Sequence, residues 1–126
     1  MTNNDLLNKF QENIFELTED TTMEYLVYYY APCTDADSCV IPSGTQFAFK
    51  GLMRGDAAYL NPISFEDTLI DTMKEQLRKG PWAELYERLQ GFSFFITLEQ
   101  LKTFPIRFCQ GSLEDVLDIW ERLRTH

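Results

Sequence analysis

The stretch MEYLVYYYA, residues 23–31, decides the fold class expected of this chain of 126 residues. β-Branched and aromatic residues dominate it, and they favour the pleated surface of a strand. Successive side chains of a strand point to opposite faces, and neither face is fully polar here, so both faces are suited to being covered. Pro32 ends the predicted strand because proline cannot donate a hydrogen bond to a neighbouring strand.

A helix is predicted before this strand, over residues 5–17. Its apolar residues recur at three- and four-residue spacing and form one stripe: Leu6, Leu7, Phe10, Ile14 and Leu17. After the strand, residues 32–44 are predicted to form a long loop that ends in a Pro-Ser-Gly turn. Two further strands are predicted over residues 45–52 and 57–60, and the three strands together indicate an antiparallel meander.

The second half of the chain is predicted to be mostly helical, because apolar stripes and capping residues mark several helices. The predicted elements are a helix over 64–79, a helix over 81–91, a strand over 92–96, a short helix that Thr97 caps, a strand over 106–109 and a last helix that Ser112 caps. The whole is predicted to be a single α+β domain over residues 1–126. Its small, mostly antiparallel sheet of about five strands is packed by about four helices.

The composition is typical of a soluble cytoplasmic protein. Hydrophobic residues make up 44% of the chain and aromatic residues 14%, which is enough for a core without metals or disulfides. No apolar run approaches the roughly 18 residues of a membrane helix, and the first residues lack the features of a secretory signal. The three cysteines are an odd number, which favours reduced thiols in a cytosol.

The charge is strongly negative and unevenly placed along the chain. The net charge is −9. Residues 1–49 hold eight acids against Lys9 alone, which gives −7, and residues 50–126 hold twelve acids against ten bases, which gives −2. This balance argues against nucleic acid and anionic membranes as partners, since both bind to Lys and Arg. Two interpretations are open: the charge keeps the protein soluble, or it forms an acidic face for a basic protein partner.

Two thiols and two carboxylates, from Cys33, Asp35, Asp37 and Cys39, lie in the predicted loop. Zinc sites usually space paired cysteines by two to four residues and supply four ligands. Here five residues separate the cysteines, and the chain has no second Cys/His pair. The prediction is therefore no metal site. Two interpretations of the loop are open: its polar side chains make local turns, or its cysteines form a disulfide on oxidation.

Catalytic groupings are not evident in the sequence. The single histidine, His126, is the last residue printed, and a cysteine nucleophile needs a base that lowers its pKa. The glycines are isolated and form no phosphate-binding pattern, so no cofactor is predicted. Arg54 and Asp56 flank Gly55 in the sequence, and this tripeptide is predicted to be an ordinary turn.

Three function classes follow from these observations. The favoured one is a non-enzymatic interaction module that uses an acidic surface and, if they are exposed, Tyr28 and Tyr30, because tyrosine is enriched in binding hot spots. The other interpretation of these tyrosines is that they pack under a helix with their hydroxyls at the rim. The alternative is a small-molecule-binding domain or small enzyme with a pocket near residues 32–44, where Asp35, Asp37 and Arg54 would contact the ligand. A nucleic-acid mimic is the third class. A homodimer through the tyrosine strand is also open.

Overall fold

The computed structural model of the chain describes residues 2–29, 34–54, 56–63, 66–79 and 89–125. Within these residues the chain forms four helices and seven strands. In chain order they are α1 (Asn3–Gln11), β1 (Ile14–Leu17), β2 (Thr21–Tyr29), β3 (Thr34–Ile41), β4 (Gln46–Leu52), β5 (Ala57–Pro62), α2 (Glu66–Lys79), β6 (Leu89–Thr97), α3 (Leu98–Thr103), β7 (Ile106–Gln110) and α4 (Leu113–Arg124).

The seven strands form one sheet in the order β3-β2-β6-β5-β4-β1-β7. Each of the six neighbouring pairs is antiparallel. The predicted α+β class and the antiparallel pairing are therefore confirmed. The prediction of about five strands is wrong, because β1 and β3 also belong to the sheet. These two strands occupy residues predicted to be helix and loop.

The predicted first helix is too long, since α1 ends at Gln11 and residues 14–17 are β1. Phe15 and Leu17 are fully buried, and they alternate with half-buried residues in the two-residue period of a strand. Asn13 marks the change of direction. Its buried side-chain amide donates to the carbonyl oxygen of Lys9 at 2.8 Å, and this bond satisfies an acceptor at the end of the helix.

The loop predicted over residues 32–44 is wrong across 34–41, which form the edge strand β3. Its sequence, TDADSCVI, has few residues with high strand propensity. It is nevertheless paired with β2 without interruption from Thr21 opposite Ile41 to Tyr28 opposite Thr34. Pairing with a neighbouring strand therefore overrides weak local propensity. Residues 42–45 supply the turn into β4, with Gly44 at a positive φ of 92°.

The capping signals of the second half are confirmed where the structure describes them. The Thr97 hydroxyl accepts from the backbone N–H of Gln100, whose side chain accepts in turn from the backbone N–H of Thr97. Ser112 caps α4 by accepting from the backbone N–H of Asp115. Most of the helix predicted over 81–91 lies outside the described residues, but residues 89–91 belong to β6. The predicted cap at residues 64 and 65 also lies outside them.

The core lies on one face of the sheet, which we call the covered face. Its fully or almost fully buried strand residues include Phe15, Leu17, Met23, Tyr25, Ile41, Phe47, Phe49, Phe94 and Ile96. Helices α1 and α4 pack on it together: the ring of Phe10 is 4.9 Å from that of Phe49 and 6.1 Å from that of Trp120. Buried Met73 of α2 and Leu101 of α3 complete the same core. We call the opposite side of the sheet the open face.

Candidate interaction surface

The centre of the open face carries four large side chains, Leu26, Tyr28, Tyr59 and Phe95, which we call the open-face patch. The register places Tyr59 directly opposite Phe95 across β5 and β6. Leu26 lies on β2 opposite Ser93 of β6. All four side chains are half-buried, and none of the helices in the described part of the chain contributes a core residue on this side. Part of each side chain therefore remains in contact with solvent.

Two glycines form the floor of the patch. Gly91 lies opposite Tyr28, and Gly51 lies opposite Tyr59. A Cβ atom built at either glycine would meet nothing within 4 Å, and neither glycine has a positive φ. The backbone conformation therefore does not require glycine at either position. Each glycine also lies beside a register shift, between Tyr28 and Tyr29 in the pairing of β2 with β6 and between Phe49 and Gly51 in the pairing of β4 with β5. Glycine in a strand interior marks such a bulge or a place where another molecule approaches the backbone closely.

Tyr28 and Tyr59 interact across β6, although their strands are not neighbours. Partial burial raises the pKa of Tyr59, and the charge and hydrogen bond of Tyr28 raise it further. The contact passes over Ser93 and Gly91, the small residues that β6 presents on this face. The strand order therefore brings the two tyrosines near each other across β6 on the open face. Rigid aromatic side chains lose little entropy when a partner binds them.

Charged residues surround the patch but do not enter it. Glu24 is exposed on β2 on the same face, and Lys50 is exposed on β4. Further along the face, Arg107 of β7 forms an ion pair with Glu16 of β1. An uncharged, aromatic centre with a polar rim is the usual composition of a protein–protein interface. The arrangement offers an uncharged aromatic surface for binding, and the hydroxyl groups of Tyr28, Tyr59 and Ser93 are its polar groups.

Two of the residues singled out from the sequence, Tyr28 and Asp37, lie on opposite faces of the sheet. Tyr28 belongs to the open-face patch, whereas half-buried Asp37 lies opposite Tyr25 and therefore on the covered side. Asp35 occupies the register position opposite Val27, and exposed Arg54 follows β4. Tyr30 and Cys33 lie outside the described residues. The strand alternation thus separates the predicted tyrosine site from the predicted carboxylate site.

Four of the acids in residues 1–49 make hydrogen bonds or ion pairs within the part of the chain that the structure describes. Asp5 forms the capping box of α1 with Thr2. Asp20 accepts the backbone N–H of Ser43 at 2.8 Å, Asp37 accepts from the Gln76 side chain at 3.1 Å, and Glu16 pairs with Arg107 as described above. These carboxylates hold turns and strands in place.

Cys39 is a buried thiol of the covered face. Burial raises its pKa to about 11, and the nearby Asp37 carboxylate contributes in the same direction. The thiol is therefore protonated at neutral pH, which makes it a poor nucleophile and metal ligand. No group of three or more His, Cys, Asp and Glu side chains suited to a metal ion occurs among the described residues.

The disulfide considered for Cys39 conflicts with the pairing of β3. Thr34 and Cys39 lie five residues apart on one extended strand, so their Cα atoms are roughly 16 Å apart. A disulfide requires its two Cα atoms to approach within about 7 Å. Cys33 itself lies outside the described residues, but it adjoins Thr34 in the sequence. A bond between Cys33 and Cys39 would therefore require β3 to leave the sheet.

A cleft of about 360 Å³ lies between α1 and α4, at the opposite end of the sheet from β3. Its floor contains Leu6, Asn13 and Ile119, and its walls carry charges of both signs: Lys9, Glu12, Asp115, Asp118 and Arg122. The charged residues are exposed, and Arg122 is paired with Asp118 at 3.3 Å. The small-molecule pocket predicted beside residues 32–44 is a different location, and it stays a prediction.

The sequence pointed to Tyr28 but missed the other members of the patch. Phe95 sits in the run FSFFIT, where every large residue resembles a core residue. Tyr59 becomes a neighbour of Tyr28 only because β6 inserts between β2 and β5. Glycines at strand positions were an ambiguous signal, since a glycine within a strand marks either a bulge or the close approach of another molecule.

Comparisons with known proteins found no counterpart for this arrangement. No protein-family model, no curated protein and no solved structure matches the chain. Among the described residues, no helix is both long enough and apolar enough to cross a membrane.

Proposed function

We propose that this chain is a non-enzymatic protein-interaction module that binds a basic partner protein through the open-face patch. The observation that supports it is an uncharged aromatic centre on the sheet, with no described helix above it and two glycines as its floor. Tyrosine and phenylalanine are enriched in such interface centres. Truncation of a hot-spot side chain typically weakens binding by about 2 kcal/mol or more.

The net charge of −9 determines which partner is favoured. A second copy of the chain would carry the same charge, and the two copies would repel each other on approach. A basic protein would instead be attracted over a distance of about 10 Å at moderate salt. Long-range attraction of this kind mainly raises the association rate, while the uncharged patch supplies the short-range contacts.

The substitution Gly91→Gln tests this proposal directly. The new side chain would project into open space beside Tyr28, so we expect the fold to be unchanged. A partner lying on the patch would be displaced by it. We expect affinity capture with tagged wild-type protein, from lysate of the source organism, to retain a protein that the Gly91→Gln variant loses. Surface plasmon resonance with that purified protein should show binding weakened at least tenfold.

Asn8→Gln is the matched control, because Asn8 is exposed on α1, on the other side of the molecule. It places the same glutamine side chain at an exposed position away from the patch and should leave binding unchanged. Equal binding by wild type and Gly91→Gln would reject the open face as the binding surface. An association rate that does not fall with added salt would reject the basic partner and leave the surface assignment intact.

A further inference from the structure

The two ends of the sheet differ in what lies beside them. At one end, helix α2 lies along β3: Nε2 of Gln76 donates to the carbonyl oxygen of Ser38 at 2.7 Å and to Oδ2 of Asp37 at 3.1 Å. At the other end, β7 is the last strand of the sheet, and β1 is the strand it pairs with. An edge strand presents N–H and C=O groups with which another strand can pair. Since α2 protects β3, an added strand is expected at β7.

The pairing of β7 with β1 identifies which main-chain groups of β7 point outward. Residues of an antiparallel strand alternate between those that bond to the neighbouring strand and those whose groups point away from it. The N–H of Thr18 donates to the C=O of Pro105 at 2.8 Å, so Arg107, two residues later, also bonds to β1. Ile106 and Phe108 therefore point their N–H and C=O groups outward. Within the residues that the structure describes, these outward groups have no hydrogen-bond partner.

The side chains of the same two residues leave apolar surface at this edge. Ile106 and Phe108 lie opposite Leu17 and Phe15 of β1, so they belong to the covered face. Leu17 and Phe15 are fully buried, whereas Ile106 and Phe108 are half-buried, although the ring of Phe108 is only 6.2 Å from that of Phe15. Unpaired main-chain groups and apolar surface thus occur together on one strand, which is the composition of a site for strand addition.

A second β7 strand complements this edge. If two copies of β7 pair antiparallel about a twofold axis at Arg107, Ile106 of each copy lies opposite Phe108 of the other. The outward groups of these residues then form two hydrogen-bonded pairs, each of which exchanges two bonds. Their side chains form two pairs of an aromatic and a β-branched residue, which stabilise antiparallel strands.

The charge at this edge permits the pairing, although each copy carries −9. The segment FPIRFCQG, residues 104–111, contains Arg107 and no acid. Arg107 forms an ion pair with Glu16 of its own chain, so the two arginines that meet at the twofold axis are balanced by two glutamates. The other negative charges of the two copies repel each other at longer range, where salt screens them. The pairing should therefore strengthen as salt is added.

We propose that β7 is a dimerisation strand, through which two copies of the chain join their seven-stranded sheets edge to edge. Because α2 protects β3, each copy has one edge open to a strand, and a twofold interface of this kind closes the assembly at two copies. This inference concerns the edge of the sheet and is independent of the open-face patch.

Disulfide trapping tests the register of the two β7 strands. In a background with Cys33→Ala and Cys109→Ala, Arg107→Cys places two thiols at the twofold axis, in a pair whose Cα atoms are about 4.5 Å apart. This distance suits a disulfide, so mild oxidation should give a covalent dimer of doubled mass on a non-reducing gel. Gln110→Cys in the same background is the control. Gln110 is exposed on the same strand, but its counterpart would be roughly 20 Å away.

Sedimentation equilibrium measures the association without a covalent link. Wild-type protein should show a dimer fraction that rises with protein concentration and with salt, whereas Ile106→Lys should remain a monomer, because lysine on an edge strand opposes strand addition. Circular dichroism checks the fold of this variant, and disulfide trapping alone decides if the fold is lost. Wild-type protein that stays monomeric at every concentration and salt would overturn the proposal. So would equally fast trapping of the Arg107→Cys and Gln110→Cys variants.

Discussion

On the covered face, the ring of Phe15 lies 5.6 Å from that of Phe47 and 5.5 Å from that of Phe49, and these rings are at most 1% exposed. On the open face, Tyr59 and Phe95 also stand directly opposite each other, yet both keep part of their surface in solvent. The difference arises from the helices, which the described chain places on one side only. Aromatic residues in a strand therefore serve stability on one face and are available for binding on the other.

Two phenylalanines give the largest expected contrast between the faces. Phe49→Ala should lower the free energy of unfolding by about 3–5 kcal/mol, because it opens a cavity among Phe10, Phe15 and Phe108. Phe95→Ala removes a half-buried ring on the open face and should cost about 1 kcal/mol. Urea unfolding followed by circular dichroism measures both. Equal losses would mean that the open face is as much a part of the core as the covered face.

Alanine substitutions at two glycines test the difference between a packed position and an open one, with a smaller expected effect on stability. Gly111, in the turn before α4, has a φ of 79°, and a Cβ there would lie 1.8 Å from Oδ1 of Asn13. Gly111→Ala should cost about 3 kcal/mol, since it combines backbone strain with displacement of a buried amide. Gly91→Ala, whose Cβ meets open space, should change stability by less than about 0.5 kcal/mol. Thermal unfolding of both variants measures these changes in stability. A Gly111→Ala protein as stable as the wild type would contradict the packing of Asn13 against Gly111.

Two cysteines give the smallest effect, which depends on pH. The raised pKa of Cys39, about 11 against an ordinary 9.0, means that its stabilising effect is complete below pH 9 and is lost as the pH rises toward 11. Deprotonation of Cys39 should lower the free energy of unfolding by roughly 1 kcal/mol between pH 8 and 10. Urea unfolding of the Cys39→Ala variant should not show this contribution to the loss of stability. Cys109→Ala is the control, because Cys109 is exposed and contacts Gln46 on the open face. An identical pH dependence of Cys39→Ala and wild type would contradict the burial of the thiol.

Elements defined by local signals were predictable from the sequence. The Thr97 capping box and the Ser112 cap locate α3 and α4 because a cap satisfies backbone groups within a few residues. The error over residues 14–17 arose because Ile14 and Leu17 fit the spacing of a helix as well as that of a strand. Phe15 distinguishes the helix from the strand. In a continued helix it would point away from the apolar stripe, whereas in β1 it is buried.

Features that depend on long-range pairing were not predictable. β3 exists because β2 pairs with it, and only Thr34, Val40 and Ile41 of its eight residues have high strand propensity. The same limit applies to the candidate site. The alternation of β2 identified Tyr28, but the meeting of Tyr28 with Tyr59 depends on the strand order, which no local pattern encodes.

The strand order also has a consequence for the rate at which the molecule folds. β1 lies between β4 and β7, and the ring of Phe10 packs edge-on against that of Trp120, 110 positions later. Contacts this distant in sequence give a high contact order, and chains of that kind fold over milliseconds to seconds, because long loops must close before the contacts form. During synthesis, Leu6 and Phe10 cannot pack against α4 until α4 has left the ribosome. In that interval the apolar surface that α4 later covers is available to chaperones.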